Sequence, residues 1–207
     1  MSTRAVLTGD IVNSTRLSKT AEKKLMHLMR QLFREHKLEF YRGDSFQALL
    51  QQPARALRLS LLCRTAAISM QETQYPVQTD FRISIGIGEV RSPVRSLRTA
   101  KGQAFVLSGR AFDEIARRDS RLAIATGNAL ANEGLQVIAD YLNSIFTDMT
   151  GKQAEVIFQL LMGETQQAIA HKLKKTKSTI HQRVTSGRWP EIDKLLLQYE
   201  KIINQLL

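Results

Sequence analysis

Several features are scarce in this chain of 207 residues, and each scarcity excludes something. A single cysteine, Cys63, excludes an internal disulfide and fits a reducing cytoplasm. Its apolar surroundings, LRLSLLCRTAAISM, indicate a core residue of an amphipathic helix rather than a catalytic thiol. No apolar run approaches the roughly 18–20 residues of a membrane span, and MSTRAVLTGD lacks a signal-peptide core. We therefore expect a cytoplasmic protein without a membrane partner.

Acidic residues are also scarce, and this bounds the choice of partners. The chain has 30 Lys and Arg against 19 Asp and Glu, which gives a net charge of +11. Residues 1–128 hold 21 basic against 11 acidic residues, while residues 129–207 hold 9 against 8. Within the latter, 151–188 is locally basic, with seven against two. Such a field favours DNA, RNA or nucleotide phosphates; the alternative is a solvated basic surface without a ligand.

Metal-ligand spacing is absent among the histidines. His27, His36, His171 and His181 stand in no metal-binding spacing with each other or with the cysteine. We expect surface positions for most of them.

The hydrophobic periodicity predicts an α+β protein. The expected order is β-α-β-β-α-β-α-β, a palm-like or ferredoxin-like sheet with crossover helices, followed by further helices. The predicted strands are Arg4–Thr8, Leu38–Tyr41, Ser45–Leu50, Phe81–Val90 and Arg121–Thr126; the predicted helices cover 17–37, 53–72, 102–118, 128–146, 151–162 and 192–207, and a basic loop covers 91–101.

The stretch Thr165–Val184, TQQAIAHKLKKTKSTIHQRV, predicts a helix-turn-helix. Ala170 is small enough for two helices to cross closely, and Thr165 and Thr176 can cap them. Gly usually occupies the turn position of Lys174, so we expect slight strain there. The alternative is an ordinary helical hairpin with a solvated polar face.

The exposed side of the second helix is rich in hydrogen-bond donors of the kind that reach phosphates and major-groove base edges. We predict double-stranded DNA as the partner. The predicted DNA-binding residues are Lys177, Ser178, Thr179, His181, Gln182 and Arg183.

Two aspartates are placed for chemistry in the first part of the chain. Asp10 ends the first strand, and Asp44 lies in the turn between the second and third strands. If that hairpin pairs beside the first strand, the two carboxylates converge at one edge of the sheet. Paired carboxylates there suit Mg²⁺ or Mn²⁺ with a nucleotide. The alternatives are that Asp10 caps the following helix and that Asp44 is an ordinary turn residue.

Four segments together resemble the class III nucleotidyl cyclase domain: TGDIVNST, RGDSF, RISIGIGEV and GQAFVLSGRAF. With the predicted helix-turn-helix, of the sigma-factor or LuxR type, the whole chain resembles the SatD family of bacterial proteins. The cyclase resemblance implies metal binding by Asp10, Asp44 and the carbonyl of Ile11, and phosphate binding by Asn13, Ser14 and Thr15. It implies that Arg110 stabilises charge on a transferring phosphate.

Two positions depart from the cyclase pattern. Phe40 stands where a cyclase that selects adenine has Lys, and Val106 stands where the pattern has Asn. Both residues are expected to be packing residues instead. We therefore expect a protein without cyclase activity, in which metal-dependent nucleotide binding stays open.

These observations predict a cyclase-like unit over 1–128, a linker helix over 129–149 and a DNA-binding unit over 150–207. The leading hypothesis is a homodimeric DNA-binding transcriptional regulator whose degenerate cyclase-like domain dimerises or senses a nucleotide. The alternatives are a metal-dependent cyclase or nucleotidyltransferase with a DNA-binding tail, and an adaptor that contacts only proteins. The final helix carries an apolar stripe that either packs on the chain itself or pairs with its copy.

Overall fold

The fold is known from a computed structural model, which describes residues 2–41, 43–70, 79–91, 93–118 and 120–207. Strands and helices alternate in the first part of the chain, and the second part is helical. In chain order the elements are β1 Ser2–Val12, α1 Lys19–Leu32, β2 Lys37–Tyr41, β3 Ser45–Leu50, α2 Ala56–Ser69, β4 Asp80–Val90, α3 Gln103–Arg117, β5 Leu122–Thr126, α4 Ala129–Thr147, α5 Gly151–Leu161, α6 Gln166–Lys172, α7 Lys177–Ser186 and α8 Trp189–Leu206.

The strands form one mixed sheet in the order β2-β3-β1-β4-β5. Only the β4–β5 pair is parallel among these neighbours. The β2–β3 hairpin lies beside β1, as the convergence of the two aspartates requires. The α+β class expected from the sequence is therefore confirmed, and the sheet is mixed.

The alternation of side chains gives the sheet two different faces. On β4, Phe81, Ile83 and Ile85 point into the main apolar core, which α1 and α2 cover. Ser84 points the other way, where its hydroxyl donates to the carbonyl of Ser108 on α3 at 2.8 Å. Ser108 in turn donates to the Thr8 hydroxyl at 2.7 Å. Helix α3 is thereby held on the second face of the sheet.

Three predicted boundaries differ from the structure. Strand β1 runs to Val12 instead of Thr8, because a central strand is paired on both sides and β4 accompanies it along its whole length. Helix α1 ends at Leu32, since the chain then turns to begin β2. A short 3₁₀ turn, Pro53–Arg55, precedes α2, and the predicted end of that helix at Glu72 lies outside the described residues.

The C-terminal helices pack against the sheet unit. Helix α5 lies across α2, where a side chain at Gly151 would come within 3.1 Å of the Ile68 carbonyl. The hydroxyl of Tyr199 on α8 donates to the Pro53 carbonyl at 2.8 Å. One continuous apolar cluster contains residues of the sheet and of α4 to α8. The division into separate units consequently stays a prediction.

The apolar stripe of α8 is buried within the chain. Ile192, Leu196, Tyr199 and Ile203 belong to the main core. Intrachain packing therefore accounts for the stripe. No described helix has the length and apolar composition that crossing a bilayer requires.

A buried ion pair fixes α2, β4 and α4 together, and the sequence analysis did not anticipate it. The Arg64 guanidinium donates to both carboxylate oxygens of Asp80, with a shortest distance of 2.7 Å. It also donates to the Asn143 side chain of α4 at 3.1 Å. Its neighbour Cys63 is fully buried, which raises the pKa of the thiol and confirms the core assignment.

Candidate functional site

The sheet brings Asp10 and Asp44 together at one edge. Asp10 pairs with Ser45 across β1 and β3, so it lies next to the turn that holds Asp44. The Ile11 amide donates to the Asp44 carbonyl at 3.2 Å, and the Ser14 hydroxyl donates to the Asp44 carboxylate at 3.1 Å. We call the group Asp10, Asp44 and Ser14 the carboxylate edge. Its assembly follows from the hairpin lying beside β1.

The carboxylate of Asp10 is poorly compensated. Its Oδ1 atom is buried without a hydrogen-bond partner. Among the described residues, Arg82 forms an ion pair with Asp10, but its Nε lies 3.7 Å from Oδ1, too far for a hydrogen bond. Burial raises the pKa of Asp10, the charge of Arg82 opposes this, and the charge of Asp44 adds to the rise. An orphaned oxygen beside a second carboxylate can accept a cation.

The local backbone at this edge depends on two glycines. Gly43 has φ of 90°, which a residue with a side chain rarely adopts. At Gly9, a Cβ would lie 2.6 Å from the Phe46 ring, so only hydrogen fits. The alternative reading of Asp10 as a helix cap is wrong, because Ser18 caps α1 by accepting the Ala21 amide.

The loop after β1 follows the carboxylate edge directly. Asn13 has left-handed backbone geometry with φ of 59°, and Ser14 begins a short 3₁₀ turn. Thr15 is exposed, while Asn13 and Ser14 are half-buried. This places the predicted phosphate-binding residues beside the aspartates, as the resemblance implies.

The donor set of the carboxylate edge fits a hard divalent cation. Carboxylate oxygens are the ligands that Mg²⁺ prefers, and Asp10 has one such oxygen without a partner. Among the described residues, no group of three or more His, Cys, Asp or Glu side chains is arranged to hold a metal. A cation here would therefore depend on the two aspartates together with backbone and nucleotide oxygens.

The remaining residues from the cyclase resemblance lie elsewhere. Phe40 is half-buried, with its ring centroid 6.4 Å from that of Phe46, in agreement with a packing role. Val106 is 50% exposed, so its expected packing role is wrong: it lies on the side of α3 away from the sheet. Arg110 is exposed on the same helix, and no ion pair or hydrogen bond among the described residues joins it to either aspartate.

Helices α6 and α7 form a second candidate surface. Thr165 and Thr176 each accept an amide of their helix's first turn, at 3.2 and 3.1 Å. Both predicted caps are therefore present. Ala170 is buried at the crossing, and Lys174 has the left-handed φ of 51° that the turn position predicts.

The residues predicted to contact DNA are not equally accessible. Thr179 is half-buried, and its hydroxyl bonds to that of Thr176 at 2.9 Å. Arg183 is only 15% exposed and pairs with Glu155 of α5, at 3.4 Å. We define the α7 surface as the exposed members of the set: Lys177, Ser178, His181 and Gln182.

Two further polar residues, which belong to α6, lie next to the α7 surface. Gln166 and Gln167, in the first turn of α6, line a shallow groove with Lys177, Ser178 and His181. The sequence analysis missed them, although their place directly after the Thr165 cap was a signal. Amide side chains next to basic ones extend the range of donors and acceptors this surface offers.

Comparisons with known proteins concern the fold over part of the chain. No protein-family model matches the chain, and no curated protein matches its sequence. The active GGEEF domain of a diguanylate cyclase from Vibrio cholerae is similar over 61% of this chain and 84% of its own, at 12% identity and a TM-score of 0.42. A bacterial light-regulated adenylyl cyclase covers 59% and 75%, at 17% identity and a TM-score of 0.42.

A third neighbour comes from adenylate cyclases of Trypanosoma brucei. It covers 54% of this chain and 69% of its own, at 15% identity and a TM-score of 0.40. These likenesses describe the course of the chain over part of its length. The cyclase reactions belong to those proteins, and the likeness does not assign them to this chain.

Proposed function

We propose that this protein is a DNA-binding transcriptional regulator that contacts double-stranded DNA through the α7 surface. The observation that carries the proposal is the α6–α7 pair itself. Two capped helices cross at a buried alanine and leave Lys177, His181 and Gln182 exposed in a locally basic segment. Such a helix pair presents its second helix to the major groove.

We assign a separate role to each of the three predicted units. Residues 150–207 bind DNA, residues 129–149 link, and residues 1–128 form a degenerate cyclase-like unit for dimerisation or nucleotide sensing. We also propose membership of the SatD family, on the segments quoted for it, and a homodimer. Two-fold pairing would place the two α7 helices about 34 Å apart on successive major grooves.

The DNA proposal is tested by fluorescence anisotropy with the DNA upstream of the protein's own coding sequence, at about 150 mM salt, since affinity depends steeply on salt. We expect Gln182→Ala to change sequence preference by about 1–3 kcal/mol. Lys177→Ala should weaken binding to all sequences and lower the salt slope by about one. Arg183→Ala is a poorer probe, because it also breaks the pair with Glu155.

The matched control is Lys201→Ala. Lys201 is also exposed and carries the same charge, but it lies near the end of α8. Equal weakening by Lys177→Ala and Lys201→Ala would mean that only net charge matters, and the α7 surface would lose its assignment.

A second candidate function, metal-dependent nucleotide binding, is favoured by the unpartnered Asp10 oxygen beside Asp44. When bound, Mg²⁺ or Mn²⁺ would supply charge to hold the phosphates of a nucleotide. Asp10 and Asp44 would hold the ion, and the loop after β1 would face the phosphates. Calorimetric titration of the protein with each nucleoside triphosphate in the presence of Mn²⁺ tests the binding. Consumption of the triphosphate would establish turnover.

A further inference from the structure

A cavity of about 620 Å³ lies between α1, α2 and α5. This volume is within the range of small-molecule sites, which are concave and mostly apolar. Its apolar lining comes from α1, α2, α5 and the residue that follows α5: Leu28, Leu32, Leu59, Leu62, Phe158 and Met162. Neither the carboxylate edge nor the α7 surface contributes to it.

The charges that line the cavity do not balance. Arg34 pairs with Glu35 and Arg58 pairs with Glu200, each at 3.8 Å. Arg55 also lines the cavity, is exposed, and has no carboxylate partner among the described residues. One guanidinium is therefore left over, enough for a single negative charge.

His36 supplies a second polar group in the same wall. Its Nδ1 atom is buried without a hydrogen-bond partner. Burial lowers the pKa of His36, Glu35 opposes this, and the charge of Arg55 lowers it further. The neutral ring can donate a hydrogen bond from one nitrogen to an anion without adding charge. A buried polar atom without a partner costs free energy, which a ligand oxygen would relieve.

We propose that this cavity binds a small amphipathic carboxylate. Its apolar body lies on the leucines and Phe158, and its carboxylate meets Arg55 and His36. The guanidinium fork suits a carboxylate better than it suits a neutral group. The ligand would contact α1 and α2 of the sheet unit and α5 of the C-terminal helices at once.

Isothermal titration of the full chain with decanoate, below the concentration at which decanoate self-associates, tests the site. We expect saturable binding of one decanoate per chain. Decanol, which keeps the apolar body, and acetate, which keeps only the head group, should each bind at least tenfold more weakly. Arg55→Gln should weaken decanoate binding by about tenfold or more, because a charge-assisted hydrogen bond is lost.

Arg118→Gln is the matched control, since it removes an exposed arginine that follows α3 and does not line the cavity. It should leave decanoate binding unchanged. A second variant, Met162→Glu, places a carboxylate at the rim on a side chain that is 53% exposed, and should repel the ligand. Failure of decanoate to bind, or equal affinity for Arg55→Gln, Arg118→Gln and the parent, would overturn the proposal.

Discussion

Asp10 is a buried acidic residue whose charge the fold compensates poorly. Its buried oxygen lacks a partner, and burial outweighs Arg82 in setting the direction of its pKa. A raised pKa means that the folded state holds the proton more tightly than the unfolded chain. Protonated Asp10 contributes extra stability that is fully present below the pKa of the unfolded chain. This contribution is lost as the pH rises through the pKa of Asp10 in the folded state. At neutral pH the charged Asp10 therefore destabilises the fold.

We accordingly expect Asp10→Asn to be more stable than the parent at pH 7, with the difference vanishing at acidic pH. Urea denaturation at both pH values measures this. Asp113→Asn, at an exposed position on α3, serves as the control and should show no such gain. A less stable Asp10→Asn at pH 7 would show that Asp10 is needed as a partner for Arg82. The same variant should lose Mn²⁺ binding, because it removes one of the two carboxylates proposed to hold the ion.

Arg64 is the opposite case: it is a buried charge in which each guanidinium nitrogen has a hydrogen-bond partner. Its guanidinium is held by Asp80 and Asn143 and lies over the Phe146 ring, 4.5 Å from the centroid. We expect Arg64→Met to lower the free energy of unfolding by about 3–5 kcal/mol, because it leaves Asp80 buried and unpaired. Urea denaturation measures the loss.

Two comparisons sharpen that test. Arg118→Met breaks an exposed pair with Glu114 and should cost at most about 0.5 kcal/mol. The double variant Arg64→Met with Asp80→Leu should recover part of the loss, since no unpaired charge remains buried. A cost for Arg64→Met no larger than that of Arg118→Met would contradict the proposed role of burial.

The turn between α6 and α7 carries backbone strain. Lys174 has φ of 51°, and the Lys175 amide donates to the Ala170 carbonyl at 3.0 Å to close the turn. Left-handed geometry costs a residue with a side chain roughly 1 kcal/mol, and glycine avoids this cost. The strain is local, because both flanking helices are capped and packed.

Lys174→Gly should therefore raise the free energy of unfolding by about 0.5–1 kcal/mol. Lys175→Gly is the control, because it removes the same charge at a position without positive φ, and it should lower stability by a similar amount. Thermal denaturation of both variants decides the matter. Equal effects would mean that charge, not backbone geometry, governs stability at this turn.

Across the chain, α5 and α8 join the sheet unit through one continuous core. Trp189, the single tryptophan, begins α8 and packs against that core. We expect tryptophan fluorescence, which reports on the C-terminal helices, and far-ultraviolet circular dichroism, which reports on all elements, to follow the same urea transition. Two separated transitions would instead support independent folding of the predicted units.

Much of the local structure was predictable because it depends on near neighbours in the sequence. Hydrophobic alternation located each strand of the described residues, and Thr165 and Thr176 marked helix starts through bonds that span three residues. The convergence of Asp10 and Asp44 was also predictable, given that the hairpin pairs beside β1. The extra length of β1 was not, because residues 9–12 pair with residues of β4 that lie about 70 positions further along the chain.

The sequence by itself determined the α+β order, the helix caps, the turn at Lys174 and the chemistry available at the sheet edge. Only the tertiary structure decided which charges are free. It pairs Arg183 with Glu155, buries Arg64 against Asp80, exposes Val106, and places Arg55 beside a cavity with no carboxylate partner in the described part of the chain. The physical reason is that a residue's type specifies its charge, whereas its partners and its solvent are set by segments that folding brings together.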